Sequence, residues 1–240
     1  MKNLKAFLIA GSLVVASSAM AEDYNRVGIS YDNNHYGFNK EFYGNDKEDN
    51  PSFSTNGFGL NYIHGFGLSK SLPMFLEVGG SVNFGFYNNK ESMLDGFEKF
   101  EYKEQFQNIN LTVPVSFAWK FDVSDNFYIT PYTGINFKLN FLTQERVGAT
   151  DDGKTVWSDW VNMLKEEKDK EYGLDKDEVW NVFQMGWHIG ATFGWKQFSL
   201  GLQYGIDFIP AYSHTYSLAG FNETYKVNTT NFKLTLGYNF

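Results

Sequence analysis

The sequence predicts an all-β chain: an eight-stranded antiparallel up-and-down transmembrane β-barrel, with short turns at one end and four long loops at the other. Three observations support this. The chain is 19% aromatic but has a mean hydropathy of −0.38, so its large rings must be segregated rather than run together. Apolar residues recur at every second position, the period of a strand with one apolar face. The intervals between these runs alternate short and long, which places every long connection at the same end of an up-and-down sheet.

The front of the chain reads as a targeting segment. Lys2 and Lys5 precede a short apolar run, Ala6 to Val15, and Ala19-Met20-Ala21 supplies a small-x-small cleavage pattern. The run is too short to span a bilayer, which takes about 20 residues. Residues 1–21 are therefore expected to be a signal peptide cleaved after Ala21, with Ala19 and Ala21 as the small residues of the cleavage pattern, and residues 22–240 the barrel. The formal charge is −8, and losing Lys2 and Lys5 makes it −10. An acidic chain argues against a nucleic-acid partner, because phosphate contacts come mainly from Lys and Arg. The absence of cysteine excludes disulfides, thiolate metal sites and a lipid-modified cysteine anchor.

The strands follow in order. Asn25 to Asp32 places Val27, Ile29 and Tyr31 on one face, and Gly57 to Gly67 places Phe58, Leu60, Tyr62 and Phe66. Pro73 to Tyr87 carries Met74, Leu76, Val78, Val82, Phe84 and Phe86. Asn108 to Phe121 is the cleanest run, with Ile109, Leu111, Val113, Val115, Phe117, Trp119 and Phe121 set against Asn110, Thr112, Ser116 and Lys120. Phe127 to Phe141, Phe183 to Lys196, Phe198 to Phe208 and Thr229 to Phe240 complete the eight. Several reach the 9–11 residues that a tilted membrane strand requires. "LSKSLP", "DVSDN" and "KQ" form the short turns. The long connections run over about 33–56, 88–107, 143–182 and 211–228.

Alternation does not say which face points out; volume does. An eight-stranded interior is just wide enough for filling side chains or one small ligand, too narrow for all of these apolar residues. The opposite face is rich in Gly, Ser, Thr, Asn and Gln, and Gly57, Gly59, Gly79, Gly85, Gly186, Gly190, Gly194, Gly201 and Gly205 fall on it. The apolar face is therefore expected to meet lipid. Tyr62, Phe66, Trp119, Phe121, Phe193, Trp195, Phe198, Tyr238 and Phe240 near strand ends would form an interfacial girdle. In lipid no sheet edge can stay unpaired, so the last strand should close on the first.

The closing stretch "TTNFKLTLGYNF" alternates Phe232, Leu234, Leu236, Tyr238 and Phe240 up to the final residue. On this pattern, residues 22–240 resemble the small outer-membrane barrels of the OmpA and OmpX type and the related barrel domains of Bacteroidetes. The resemblance implies that these five residues act as a C-terminal assembly signal read by the barrel-assembly machinery. It also implies a place in the bacterial outer membrane, among its lipid and lipopolysaccharide. It says nothing about activity.

The polar face carries few charged or titratable groups: Arg26, Glu77, Lys120, Lys138, His188, Lys196, Asp207 and Lys233. They are expected to plug the lumen as a polar network, with Glu77 and Lys120 on adjacent strands and likewise Asp207 and Lys233, because a charge in a narrow lumen must be paired. A narrow solute or proton path through His188 is the alternative. A rim-site hydrolase would need a base near a nucleophile, and His214 beside Ser213 and Ser217, with Asp207 nearby, is a weak candidate. No catalytic residue, cofactor or metal is assigned. "LDKDE" at Leu174 to Glu178 lacks the glycine and distal Glu of a calcium loop.

The third long loop is the most distinctive. Gln144 to Trp180 holds eleven acidic and six basic residues. Trp157, Trp160, Val161 and Leu164 follow i, i+3, i+4, i+7 spacing, which predicts a short amphipathic helix. That helix would either cover the barrel mouth or present Trp157, Trp160 and Leu164 to an extracellular or envelope partner, or to lipopolysaccharide. Tyr36, Phe38, Phe42, Tyr43 and Phe53 make the first loop aromatic as well. The expected protein is non-enzymatic, with a structural or surface-binding role in its loops.

Overall fold

The computed structural model describes residues 22–39, 52–69, 72–95, 98–151, 154–166, 179–218 and 221–240. The expected signal peptide, Phe42, Tyr43 and Leu174 to Glu178 lie outside them. Among the described residues twelve strands occur in chain order: β1 (Tyr24–Phe38), β2 (Ser52–Gly67), β3 (Met74–Asp95), β4 (Glu98–Trp119), β5 (Phe121–Ser124), β6 (Phe127–Asp151), β7 (Lys154–Trp157), β8 (Val161–Asn162), β9 (Phe183–Trp195), β10 (Phe198–Asp207), β11 (Tyr212–Leu218) and β12 (Phe221–Asn239). Eight of them close a ring, β1-β2-β3-β4-β6-β9-β10-β12 and back to β1. Every ring pairing is antiparallel.

Closure is made by the chain ends. β1 and β12 pair from Arg26↔Asn239 to Phe38↔Val227. Asn25 N donates to Phe240 O at 3.1 Å, and Phe240 N donates to Asn25 O at 2.9 Å. The strand that ends the sequence thus removes the edge that β1 would otherwise leave.

The two faces sort as the alternation predicts. Phe58, Leu60, Phe141 and Leu236 point outward at 57–64% exposure, and each ring strand contributes exposed aliphatic or aromatic residues. Ser30, Asp32, Asn83, Asn110, Thr112, Ser116 and Thr192 point inward and are buried. Inward glycines make room for inward rings. Gly190 and Gly194 stand opposite Tyr132 and Tyr128 on β6, and a Cβ at Gly194 would overlap the Tyr128 ring.

Three features of the long-loop end differ from expectation. The loop expected over 211–228 is mostly strand, with β11 pairing β12 from Tyr212↔Val227 to Leu218↔Phe221. The expected loop over 88–107 is mostly strand: β3 and β4 stay paired up to Asp95↔Glu98, and β6 continues beside β4 to Thr150. A polar ribbon rising out of the apolar belt has no lipid face, so it shows no alternation to read. The helix expected at Trp157 to Leu164 is absent: β7 and β8 pair with β6 there, and no helix occurs among the described residues. The apparent helical spacing comes from two short strands and a turn, whose tryptophans both reach back to Arg146 on β6.

A register shift at Ile109/Asn110 moves the partner of Asn110, Asn140, two residues from that of Ile109, Leu142. The extra residue, Phe141, reverses the facing of β6 above it. Lys138 therefore points into the lumen while Arg146 points outward beside Gln105.

Candidate functional site

Among the described residues the lumen holds three ion pairs stacked along its length. At the short-turn end, Arg26 Nη2 lies 3.2 Å from Glu77 Oε1, their side chains 8% and 4% exposed. The Tyr24 hydroxyl donates to the same carboxylate, and Arg26 Nη1 donates to Thr192 Oγ1 at 3.3 Å. Midway, Lys233 Nζ lies 3.1 Å from Asp32 Oδ1 and donates to Ser81 Oγ and Asn83 Oδ1, both at 3.2 Å. Higher, Lys138 Nζ lies 2.5 Å from Asp207 Oδ2, which also accepts from Thr229 Oγ1 at 2.6 Å and Gln184 Nε2 at 3.3 Å. Each charge has an opposite partner and each pair has further hydrogen bonds, the condition for holding ions away from bulk water.

Of the predicted network, Arg26, Glu77, Lys138, His188, Asp207 and Lys233 are lumenal, but with other partners. Glu77 pairs with Arg26 two strands away, not with Lys120. Asp207 pairs with Lys138, not with Lys233. Lys120 lies at the short-turn rim, 3.2 Å from Asp122 and over the Tyr128 ring. Lys196 is outside the lumen, exposed in the β9–β10 turn at φ 54°. His188 is fully buried, with Nε2 2.8 Å from Ser116 Oγ. Asp32 was overlooked. It shares the facing of Arg26 and stands opposite Lys233 in the closing register, so its parity and the expected β1–β12 pairing together could have found it.

What room remains is small. A cavity of ≈ 50 Å³ touches Arg26, Glu77, Ser116, Tyr132 and Thr192. A second, of ≈ 20 Å³, touches Asp32, Asn136, Lys138 and Asp207. At roughly 10–15 Å³ per water the first holds about three to five waters and the second about one or two.

Above the ion pairs sits an aromatic cap that sequence reading missed. Tyr36, Phe106, Ala211, Tyr212 and Val227 are buried together, with Phe53, Tyr87 and Trp180 against them. Tyr36 stacks on Phe53 at 4.8 Å, and Trp180 packs on both Tyr36 and Phe106. The stretch at 180–182 is tied into the wall by hydrogen bonds from Trp180 N to Met163 O and from Asn181 N to Ala211 O, both 2.7 Å. Tyr36 and Phe53, expected as surface aromatics, fill this cap.

At the rim above the cap, Glu104 on β4 and Glu145 on β6 share an inward face with Glu91 on β3. Burial, then the Glu104 charge, pushes the Glu145 carboxyl up to about 7. Burial and Glu91 raise Glu104. The other predicted loop residues, Trp157, Trp160 and Leu164, are half-buried. Of the hydrolase alternative, Asp207 is engaged in the lumen with Lys138, and His214 on β11 stands opposite Tyr225 on β12. Among the described residues no group of three or more His, Asp or Glu is placed to hold a metal. Phe232, Leu236, Tyr238 and Phe240 of the expected assembly signal are exposed on the outer face, and Leu234 shares their facing on β12.

The molecule is a closed eight-stranded antiparallel barrel, apolar outside, with an ion-paired lumen under an aromatic cap. No protein-family description matches the sequence, and no curated protein matches it. Among solved structures it is similar to Ail, the attachment invasion locus protein of Yersinia pestis, in complex with the heparin analogue sucrose octasulfate. That match has 12% identity over 90% of this chain and 99% of the other, with a TM-score of 0.36. It is similar to the Pseudomonas aeruginosa outer-membrane protein OprG at 10% identity, 93% and 98% coverage and a TM-score of 0.39. Neisserial surface protein A aligns at 13% identity, 92% and 98% coverage and a TM-score of 0.32.

Proposed function

We propose that the chain is an integral protein of the bacterial outer membrane, exported by residues 1–21. In this reading the barrel is a non-conducting, non-enzymatic anchor, and its long-loop end carries a surface-binding or envelope-structural role. The observation that carries this is the belt of exposed apolar residues on all eight ring strands. Soluble proteins rarely expose contiguous apolar patches beyond a few hundred Å², and a closed ring is the β-structure that satisfies its backbone in lipid. The three lumenal ion pairs and the aromatic cap support an anchor rather than a pore. Assembly through Phe232, Leu234, Leu236, Tyr238 and Phe240 by the barrel-assembly machinery belongs to the same reading.

The test is a planar-bilayer recording on the refolded chain beside a gel assay of heat-modifiable mobility. Heat-modifiable mobility without conductance supports the anchor. Failure to insert would sink the membrane reading. A small-solute path is the second reading, favoured by buried Asn61 Nδ2, Asn136 Oδ1 and His188 Nδ1, which have no protein hydrogen-bond partner and suit a hydrated lumen. Steady conductance altered by Lys138→Glu would establish it.

A further inference from the structure

The ribbon that β3, β4 and β6 raise above the apolar belt has two chemically different faces. Its inward face carries Glu91, Glu104 and Glu145. Its outward face carries Lys90, Lys103 and Arg146, one on each strand, in a chain whose formal charge is −8. Lys90 and Lys103 stand directly opposite each other across the β3–β4 pair, an arrangement that is unfavourable for like charges unless an anion offsets it. Glu101 answers Lys90 at 2.7 Å, and Lys103 Nζ donates to Thr155 Oγ1 at 2.6 Å. No acidic side chain among the described residues pairs with Lys103 or Arg146.

Arg146 is held as a receptor would be. Its guanidinium carbon lies 4.5 Å from the Trp157 ring centroid and 4.6 Å from that of Trp160. Its Nε donates to Gln105 Oε1 at 2.8 Å. Three contacts thus fix the plane of the group, while its Nη donors have no acceptor among the described residues. A stacked guanidinium presents two parallel N–H donors to a phosphate with little further ordering to do. The group stands four residues above Leu142, about 13 Å along the strand at 3.3 Å per residue. Tryptophans are characteristic of that interfacial zone.

We infer that the outer wall at Arg146, flanked by Trp157 and Trp160 with Lys103 beside it, binds the phosphate of a phosphorylated glycolipid headgroup in the surrounding leaflet. This rests on the membrane reading above, and it gives the long-loop end a ligand class. Contiguity with the apolar belt favours a lipid over a free anion, because acyl chains would lie along Phe141 and Leu142 while the headgroup meets the guanidinium. The reversed facing of β6 creates the site. Had alternation run unbroken through Phe141, Arg146 would share the inward parity of Lys138 and Asn140.

The test reconstitutes the full chain in phosphatidylcholine nanodiscs doped with lipid A and counts retained lipid A by native mass spectrometry. Wild type should retain it in preference to phosphatidylcholine. Arg146→Gln should weaken retention about tenfold, the scale of losing a bidentate charge-assisted contact. Arg146→Lys should restore part of it, since a point charge lacks the stacked fork. Lys103→Gln, as a second variant, should weaken retention less. Undiminished retention by folded Arg146→Gln would overturn the inference, as would equal retention of dephosphorylated lipid A. Displacement by inorganic phosphate with the lipid remaining indifferent would show a free-anion site and overturn it too. A chain that does not insert fails differently, taking the membrane reading with it.

Discussion

Replacing Asp207 by Asn probes the filled lumen with almost no change of shape. The substitution leaves the Lys138 ammonium, its side chain 11% exposed, without a counter-ion and turns a charged acceptor for Thr229 and Gln184 into a neutral one. Removing one member of a buried pair costs roughly 3–5 kcal/mol. Weakening two charge-assisted hydrogen bonds adds to this, while the adjoining ≈ 20 Å³ cavity can bring about one water to the ammonium and relieve part of the loss. The expected net loss is about 3 kcal/mol. The assay is the urea midpoint for unfolding from lipid vesicles, read by heat-modifiable mobility. The double variant Lys138→Gln with Asp207→Asn removes both charges and should recover to within about 1 kcal/mol of wild type. A single variant indistinguishable from wild type, or a double variant worse than the single, would refute the ion-pair account of the lumen.

Further predictions concern separate parts of the molecule. Lys196 adopts φ 54°, so Lys196→Gly should raise stability by about 1 kcal/mol in the same unfolding assay; a loss would mean that the Lys196–Trp195 ring contact outweighs the backbone strain. Glu145 has its folded pKa raised to about 7 from 4.5. Between these values the native carboxyl stays protonated while the unfolded one ionises, so the rim ribbon should loosen as pH rises through this window. Hydrogen exchange at β4 and β6 above Gln107 should show this, and Glu145→Gln should flatten the dependence. Trp180→Ala should remove roughly 2–4 kcal/mol of packing from the aromatic cap, seen as faster exchange around Tyr36 and Phe106, with the β1–β12 closure below unchanged. Leu236→Arg on the outer face should cost about 2–4 kcal/mol in vesicles if it lies near mid-bilayer.

The ring was legible because an apolar outer wall and a polar lumen set opposite chemistry on alternate residues. Phe232 to Phe240 and Ile109 to Phe117 could hardly be read otherwise. That information stops where the belt stops. Residues 88–95 and 98–107 are strand without alternation, and Trp157 and Trp160 imitated a helix because two half-buried rings converge on one arginine. Partner assignments within the lumen needed the register. Arg26 meets Glu77 across two strands, and Lys138 meets Asp207 past β9, distances that linear order does not encode. Asp32 and Lys233 were within reach, since pairing the first strand with the last sets them opposite. The inward aromatics Tyr36 and Phe106 were hidden because they fill the mouth of the lumen, where a polar face gives way to an apolar cap.

The central claim is that the apolar outer wall of this ring lies in lipid. Two variants, each keeping one of the six tryptophans and replacing the others by Phe, test it through fluorescence quenching by mid-chain brominated phosphatidylcholine. One keeps Trp187, exposed on the outer face; the other keeps Trp157 on the ribbon. Strong quenching of Trp187 and weak quenching of Trp157 is the predicted result. Equal quenching of both, or none at Trp187 in a folded barrel, would contradict a membrane-spanning belt.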